Sequence, residues 1–317
     1  MRKKDNIKLS VIIISYKQAK YIRDAIDSVL MQNFDFKYEL LLADDCSQDG
    51  TLEIMKEYEK KNPSIIRVIE RKKNLGCKNN SLSACSEAKG EYLTILEGDD
   101  YWSDKNKIRI QIDFLEAHPD YYAYSHSQEG RNLKNEYVGT FPKKNKKSFT
   151  INNEKEYIRN DYTFSCSSTV FRNLFKDKKK YNEYKSIREF DEVIGDSQLC
   201  FMLCKCGKVY VSNEPMMVYR IRSNDGDSNF NSSHTIDEIE YRFLNIYSCM
   251  KKYYNNEYSF YKQIKYHYTL GVAYDICKFN LKDIKRFNRM CPRNYKWKII
   301  VSFPFTCVKI LINRFFI

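Results

Sequence analysis

Three acidic side chains, Glu97, Asp99 and Asp100, lie within four residues of one another. They directly follow residues 92–96, a short apolar run with β-branched and aromatic members that predicts a buried strand. In an open parallel sheet, ligands bind beyond the carboxyl ends of the strands. Carboxylates crowded there repel one another unless a cation lies between them, and oxygen ligands suit Mg²⁺ or Mn²⁺. The alternative interpretation is a solvated acidic turn.

The chain before this cluster supplies the elements that would position it. Continuous apolar runs predict three further strands, at residues 9–15, 38–43 and 65–69. Each run is followed by apolar residues at helical spacing, over residues 20–32, 52–58 and 82–88. Because right-handed crossovers join consecutive units of this kind, the pattern predicts an α/β fold with a doubly wound, mostly parallel sheet.

The chain after the cluster has a less regular pattern. Residues 129–147 are polar and carry four lysines near their end, which predicts a surface loop. The lysines are interpreted as a solvated face, with phosphate or lipid binding as the alternative. Residues 209–212 and 216–220 predict two short strands, preceded by a helix that begins near Asp196.

Charge and cysteine content limit the classes of protein. The net charge of +13 predicts an anionic partner, such as nucleic acid, a membrane face or a phosphorylated substrate. Eleven cysteines without regular spacing do not indicate a disulfide framework. The group closest to a metal pattern, Cys200, Cys204 and Cys206, lacks a second pair or a histidine, so free core cysteines are preferred over a zinc site.

The end of the chain is aromatic and basic. Residues 229–290 predict a helical extension, and residues 291–317 combine basic side chains with an apolar run that Pro304, Lys309 and Arg314 interrupt. This run is too short to cross a membrane, but it suits a peripheral anchor on the anionic inner face of the cell membrane. The alternative is a terminal helix packed on the domain. The charged start of the chain shows no signal peptide, so a cytoplasmic location is expected.

Several motifs in a fixed order resemble the inverting family-2 glycosyltransferases of the GT-A fold, of the type that builds bacterial cell-surface polysaccharides. The resemblance covers residues 1–228, with a nucleotide-sugar half over residues 1–104 and an acceptor half over residues 105–228. Its motifs lie at residues 10–16, 44–51, 74–76 and 96–102. Any one of them is weak evidence, whereas the ordered set is specific.

The resemblance assigns a role to each motif. Nucleotide binding falls to residues at four places in the chain, namely Ser15, Tyr16, Asp44, Asp45, Asn74, Gly76 and Arg220. The metal-binding segment is led by Asp99, with Glu97 and Asp100 in support, although the family often has Asp where this chain has Glu97. A divalent cation, Mn²⁺ or Mg²⁺, would stabilise the charge that builds up on the leaving nucleoside diphosphate.

Inversion needs a base on the far side of the sugar from the leaving group. The resemblance places that base at the start of a helix about a hundred residues after the acidic cluster, which makes Asp196 the first candidate and Glu192 the second. An ordinary helix-capping role for Asp196 is the alternative.

The function expected from the resemblance is metal-dependent transfer of a sugar from a nucleoside-diphosphate sugar to a glycan or lipid-linked acceptor. The resemblance implies uridine as the nucleoside of the donor. One alternative is a degenerate relative that binds the nucleotide sugar without turnover. A basic nucleic-acid-binding protein is the other. It is disfavoured because the charge gathers in loops and near the C-terminus, without a helix-turn-helix, zinc-finger or RNP pattern. Nucleic acid is therefore not an expected partner.

Overall fold

The computed structural model describes residues 6–141, 147–159, 164–189 and 196–222, with Tyr241, Leu244 and Tyr247. The chain divides into two compact units, and the first comprises Met1–Arg188 and Glu192–Ile221. This first unit contains the ten strands and seven α-helices assigned within the described residues. The second candidate base, Glu192, and the proposed membrane tail lie outside the described residues, and the boundaries of the predicted domains stay predictions.

The first half of the unit alternates strands and helices as the sequence predicts. Its elements are β1 (Leu9–Ser15), α1 (Ile22–Leu30), β2 (Tyr38–Asp44), α2 (Thr51–Lys61), β3 (Ile66–Glu70), α3 (Cys77–Glu87) and β4 (Tyr92–Glu97). The strands lie in the order β3-β2-β1-β4, and every pairing among them is parallel. This arrangement confirms the predicted α/β fold.

The central strand β1 owes its position to its composition. All seven of its residues are buried, because helices cover both faces of a parallel sheet and a continuous apolar run satisfies both. Helix α1 packs one face onto the sheet through Ile22, Ala25, Ile26 and Val29, which recur at helical spacing and are fully or almost fully buried. The carboxyl ends of the strands are thereby fixed relative to one another.

The second half of the unit is a mixed extension of the same sheet. Its strands are β5 (Tyr101–Trp102), β6 (Tyr121–Asn132), β7 (Tyr137–Phe141), β8 (Phe149–Ile151), β9 (Val170–Arg172) and β10 (Lys208–Ile221). Its helices are α4 (Lys107–Ala117), α5 (Glu154–Arg159), α6 (Lys178–Arg188) and α7 (Asp196–Cys206). From β4 the sheet continues in the order β9-β6-β10-β5, with β7 on β6 and β8 on β10. Strand β9 pairs antiparallel with both β4 and β6, so it joins the two halves.

Two sequence predictions about this half are wrong. The predicted surface loop over residues 129–147 contains the end of β6 and all of β7, which form an antiparallel hairpin. Their polar sequence concealed the strands, because β7 pairs only at the edge of the sheet. The two short strands predicted at residues 209–212 and 216–220 are one strand, β10. Its pairing with β6 shifts register on either side of Pro215, which lacks the N–H needed for a regular ladder.

The remaining features of the described chain agree with an ordinary folded domain. Cys85, Cys166, Cys200 and Cys204 are buried free thiols, as expected for core cysteines. No helix within the described ranges combines the length and the apolar content needed to span a bilayer.

Candidate active site

Three strand ends meet at one edge of the sheet. Ser15 of β1 lies in register with Asp44 of β2, and the neighbouring Ile14 lies in register with Glu97 of β4. The segments that follow these strands therefore converge above the same edge, where an open α/β sheet binds its ligands. The residues predicted for nucleotide and metal binding at residues 15–16, 44–45 and 97–100 all lie there.

The loop after β2 is held by its own acidic side chains. One carboxylate oxygen of Asp44 accepts a hydrogen bond from the Ser47 amide at 2.9 Å. Oδ1 of Asp45 accepts from the Leu75 amide at 2.7 Å, and the Asn74 side chain donates to the Asp45 carbonyl at 3.2 Å. Gly76 follows in a left-handed conformation with φ of 79°, which glycine adopts at little cost. The structure thus brings Asn74 and Gly76 onto the Asp45 loop.

Several buried polar atoms at this edge have no hydrogen-bond partner among the described residues. They are Ser15 Oγ, Gln18 Oε1 and Asp44 Oδ1. Burial also raises the pKa of the Asp44 carboxyl above its ordinary value. Buried polar groups are nearly always satisfied, so three orphans beside one another indicate a place that a polar ligand completes. Tyr16, the residue after Ser15, is 44% exposed, and Lys17 Nζ lies 5.2 Å from the centroid of its ring.

The acidic segment after β4 forms a tight turn. The Asp100 amide donates to the Glu97 carbonyl at 3.0 Å, and the Gly98 amide donates to the Ile14 carbonyl of β1 at 2.9 Å. Asp99 and Asp100 are buried, whereas Glu97 is partly exposed. Desolvation, then the charges of Asp99 and Glu97, raise the pKa of Asp100 well above its ordinary value. Three carboxyls are therefore held together against their mutual repulsion.

Gly98 lets this turn approach the rest of the site. A Cβ at Gly98 would lie 2.5 Å from Gln18 Oε1 and 3.1 Å from both Ser15 Cβ and Ile22 Cδ1. Such distances are shorter than van der Waals contact, so a larger residue would push the acidic turn away from β1 and α1. The glycine between Glu97 and Asp99 is therefore required by packing.

Arg220, predicted to bind nucleotide, is held by protein groups. Its backbone amide donates to Asp100 Oδ1 at 2.9 Å, and its guanidinium donates to the Asp99 carbonyl at 2.7 Å and to the Asp24 carboxylate. The guanidinium also lies over the rings of Tyr101 and Tyr21, at 4.7 and 5.2 Å from their centroids. The side chain of β10 thus clamps the acidic turn from the outside.

The predicted base lies at the start of a helix in the second half of the unit. Asp196 begins α7 and keeps solvent access, yet desolvation by the surrounding protein raises the pKa of its carboxyl. Cys77, at the start of α3, is an exposed residue, yet desolvation by the surrounding protein and the charges of four carboxylates raise the pKa of its thiol. In order of effect these carboxylates belong to Glu97, Asp196, Asp45 and Asp99. The electrostatic effect of carboxylates from the loop after β2, the acidic turn and the start of α7 therefore reaches this thiol.

The acidic turn could bind a divalent cation only if a bound ligand supplied further oxygen atoms to the coordination shell. In the part of the chain that the structure describes, no three His, Cys, Asp or Glu side chains are arranged to hold a metal ion on their own. Magnesium-type sites in nucleotide-using enzymes commonly take one or two carboxylates and complete their shell with phosphate and water. Glu97 and Asp99, with one residue between them, fit that donor set, while an oxygen of Asp100 is engaged by Arg220.

Sequence reasoning missed three residues of this region. Gln18 carries one of the orphaned atoms and packs against Gly98, Asp24 binds Arg220, and the charges of four carboxylates act on the Cys77 thiol. The glycine between two acids was a usable signal for close packing. The contacts of Asp24 and Cys77 depend on tertiary structure and left no signal in the sequence.

Comparison with known protein families identifies the family of this chain. Residues 10–177, more than half of the chain, match the family described as Glycosyl transferase family 2. The chain belongs to this family. That membership confirms the predicted family, and the matched residues include the loop after β2 and the acidic turn.

Relatives and solved structures extend the comparison. A Mycobacterium bovis protein is 42% identical over 112 residues, covering 35% of this chain and 32% of its own length. TuaG of Bacillus subtilis, named as a teichuronic acid biosynthesis glycosyltransferase, is 37% identical over 107 residues, which is 34% of this chain and 41% of TuaG. The chain thus spans 32–41% of the length of these curated relatives.

The crystal structure of Staphylococcus aureus TarS 1-349 in complex with UDP-GlcNAc superposes with a TM-score of 0.61. The match is 20% identical in sequence and covers 91% of this chain and 83% of TarS 1-349. At this identity the likeness concerns the fold, and it confirms the GT-A architecture.

Proposed function

We propose that this protein transfers a sugar from a nucleoside-diphosphate sugar, with inversion, to a hydroxyl of a glycan or lipid-linked acceptor in cell-surface polysaccharide synthesis. The observation that carries the proposal is the meeting of the ends of β1, β2 and β4 at one edge of the sheet, which brings the Asp44–Asp45 loop beside the turn of Glu97 and Asp99, while Asp196 is the acid that begins α7. An inverting transferase needs a nucleotide site, a charge-neutralising site and a base around one sugar, and these acids supply a candidate for each.

The nucleotide half of the proposal rests on the loop after β2. The orphaned atoms of Ser15 and Asp44 offer hydrogen bonds to a base and ribose, and the exposed ring of Tyr16 offers a stacking surface. TarS, which shares the fold, was solved with UDP-GlcNAc, and this supports a uridine nucleotide as the first donor to test.

The acidic turn would hold the cation. We assign direct coordination to Asp99 and then Glu97, and a supporting role to Asp100, whose oxygen already accepts the Arg220 amide. When bound, Mn²⁺ or Mg²⁺ would stabilise the negative charge on the departing diphosphate. The residues around the turn have a separate task, which is to keep the two coordinating carboxylates in place: Gly98 by close packing and Arg220 by its clamp.

Asp196 is our candidate for the base. It would accept the proton of the acceptor hydroxyl as that oxygen attacks the anomeric carbon from the side opposite the diphosphate. Its desolvated environment raises its pKa toward the range in which a carboxylate accepts protons efficiently. The helix-capping alternative predicts that amide substitution leaves turnover nearly intact, since asparagine caps helices as well as aspartate.

The class of acceptor and the cellular location are proposed from the names of relatives and from the net charge. The names of the relatives TuaG and TarS, the latter a poly(ribitol-phosphate) beta-N-acetylglucosaminyltransferase, concern anionic cell-wall polymers. A net charge of +13 would attract such an acceptor or an anionic leaflet. We therefore propose a cytoplasmic enzyme that works peripherally at the inner face of the cell membrane.

The test is thermal unfolding with a panel of nucleoside diphosphates, each with and without Mn²⁺. A ligand at about 100 times its dissociation constant stabilises the native state by about 2.7 kcal/mol, enough to raise the Tm by several degrees. We expect a Mn²⁺-dependent shift with one nucleotide, loss of that shift in Asp99→Asn, and its retention in the control Asp113→Asn, whose side chain is 69% exposed.

Turnover must then be measured for the nucleotide that binds. Release of diphosphate from its sugar in the presence of acceptor supports a transferase, whereas a Tm shift without turnover indicates a degenerate binding protein. A shift with RNA or DNA and with no nucleotide would contradict the proposal and favour the nucleic-acid interpretation.

A further inference from the structure

The core beside strand β5 contains a buried lysine. Lys107 is the first residue of α4 and is 0% exposed. Lysines are almost never fully buried unless an opposite charge accompanies them. In the part of the chain that the structure describes, no carboxylate pairs with this side chain, and desolvation lowers its pKa well below the ordinary value of a lysine. Taking an ammonium group out of water costs free energy, and so does removing its proton, so the burial of Lys107 carries a cost in stability.

Gln111, one turn further along α4, fixes the amino group of Lys107. Its side-chain nitrogen donates to the carbonyl of Tyr124 in β6 at 2.8 Å and to the carbonyl of Ser168, before β9, at 3.0 Å. Because both of these acceptors require the amide nitrogen, the amide oxygen is the atom that accepts from Lys107 Nζ, at 2.7 Å. The amino group is thereby held in place relative to two strands of the sheet.

The amino group in turn contacts the ring of Trp102. Lys107 Nζ lies 4.2 Å from the centroid of this ring, within the range of a cation–π interaction. Trp102 is 0% exposed, and its indole N–H has no hydrogen-bond partner among the described residues. No hydrogen bond therefore orients the ring, and its position depends on apolar packing and on the contact with Lys107.

Trp102 is separated from the acidic turn by a single residue. Tyr101 and Trp102 form β5, which pairs with β10 and directly follows Asp100. A movement of the Trp102 ring would be transmitted through this short strand to Asp100 and Asp99. The turn is thus held on one side by Arg220 of β10 and on the other, through Trp102, by the amino group of Lys107.

We propose that Lys107 is a positioning residue for the acidic turn: held by Gln111, it fixes Trp102 and, through Trp102, the place of Asp99. An apolar side chain such as methionine would fill a similar volume without the cost of desolvation. A lysine at this point is therefore unfavourable for stability alone, and the need for a fixed metal-binding turn supplies a reason for it. The inference rests on the proposed function, because that function assigns a metal to the turn.

The first experiment measures turnover of the donor by Lys107→Met at increasing Mn²⁺. The variant loses the hydrogen bond to Gln111 together with the desolvation cost, so its Tm should stay within a few degrees of that of the unaltered protein. Because misplacing a catalytic group by about 1 Å can cost roughly 100-fold in rate, we expect the Mn²⁺ concentration for half-maximal rate to rise roughly ten-fold. The KM for the acceptor should not change. An unchanged Mn²⁺ requirement overturns the proposal, whatever the Tm.

The matched control is Arg172→Met, which also replaces a basic side chain over an aromatic ring. The Arg172 guanidinium lies 5.4 Å from the centroid of the Tyr92 ring and donates to the carbonyls of Tyr121 and Leu115. Tyr92 begins β4, whereas the acidic turn follows the other end of that strand. Arg172→Met should lower the Tm, since charged hydrogen bonds are lost, and should leave the Mn²⁺ requirement unchanged. If it raises the requirement as much as Lys107→Met does, the effect is one of general stability and the proposal is overturned.

A double-mutant cycle tests whether Lys107 acts through Trp102. Trp102→Phe keeps an aromatic ring but weakens its attraction for a cation, so it should also raise the Mn²⁺ requirement. Lys107→Met should then have a smaller effect in Trp102→Phe than in the unaltered protein. Full additivity of the two effects would overturn the proposed route.

Hydrogen exchange gives a readout that does not depend on turnover. With metal and nucleotide absent, the amides of residues 98–103 should exchange faster in Lys107→Met than in the unaltered protein, while those of β1 should not change. If the unaltered protein shows no Mn²⁺-dependent nucleotide binding, the proposed function fails, and the exchange measurement still decides this inference. Equal exchange of residues 98–103 in the two proteins overturns it. Should Lys107→Met not fold, Trp102→Phe takes its place in both measurements.

Discussion

Replacing Gly98 by alanine adds one methyl group at the point where the acidic turn packs against β1 and α1. The new Cβ would lie 2.5 Å from Gln18 Oε1, and ordinary contact begins at 3.4 Å, so that pair must separate by about 0.9 Å. The other two contacts, with Ser15 Cβ and Ile22 Cδ1, are each at 3.1 Å. The Gln18 amide can rotate, but Ser15 Cβ is fixed to the strand, so part of the movement falls on the turn.

Two effects of different size follow. Overpacking of this kind typically costs about 1–3 kcal/mol, which lowers the Tm of a domain of this size by several degrees. Misplacing a catalytic group by about 1 Å can cost roughly 100-fold in rate. Because Glu97 and Asp99 flank the altered residue, we expect kcat/KM to fall by roughly 10- to 100-fold, with a weaker Mn²⁺-dependent nucleotide shift.

The control is Gly139→Ala, since no atom lies within 4 Å of a Cβ built at Gly139. This variant should match the unaltered protein in Tm and in turnover of the donor. Adding Gln18→Ala to Gly98→Ala removes the nearest clash and should recover part of the loss, with Gln18→Ala alone as reference. If Gly98→Ala and Gly139→Ala turn over donor equally, the packing of the turn does not set the activity and the reasoning is refuted.

Three further predictions concern other parts of the structure. A general base must be ionised to accept a proton, and the pKa of Asp196 is raised, so the fall of kcat/KM at acid pH should be centred above the ordinary pKa of an aspartate. Asp196→Asn should abolish turnover and preserve the nucleotide-dependent Tm shift. Arg220→Ala removes a charged hydrogen bond worth about 1.5–3 kcal/mol and should lower both Tm and Mn²⁺ affinity. Asp24→Asn loses an ion pair whose carboxylate is 58% exposed and should change them less. Equal effects of the two variants would contradict the clamp. Cys46 has a left-handed φ of 66°, so Cys46→Gly should stabilise the protein by about 0.5–1 kcal/mol in denaturant titrations while Cys46→Ala should not.

The sequence predicted the nucleotide half of the fold well for a physical reason. Strands such as β1 are buried on both faces and read as continuous apolar runs, and β1 begins and ends where its run does. The edge strand β7 carries no such pattern, because neither a core nor a second neighbour constrains its side chains. The sequence of the β6–β7 hairpin therefore predicts a loop.

The candidate site shows the same division. Motif residues at the ends of β1, β2 and β4 were predictable, because the carboxyl ends of parallel strands must meet at one edge. The surroundings of Asp196 were not predictable from spacing alone, because the desolvation that raises the pKa of its carboxyl depends on how α7 packs. The role of Arg220 was also hidden, because Asp24, its partner, lies on a different element far away in sequence.

The three carboxylic acids of the turn differ in the contacts that fix their positions. Asp100 is buried, and one of its carboxylate oxygens accepts a hydrogen bond from the backbone amide of Arg220. Among substitutions at Arg220, only proline would remove this hydrogen bond. Gly98 ties the same turn to β1 through its amide. The turn is therefore anchored on both sides of Asp99, by Gly98 before it and by Asp100 after it. An anchored carboxylate loses little freedom when it meets a cation, so we infer that Asp99 dominates the metal affinity, with Glu97, the more exposed of the two, adjusting to the ligand.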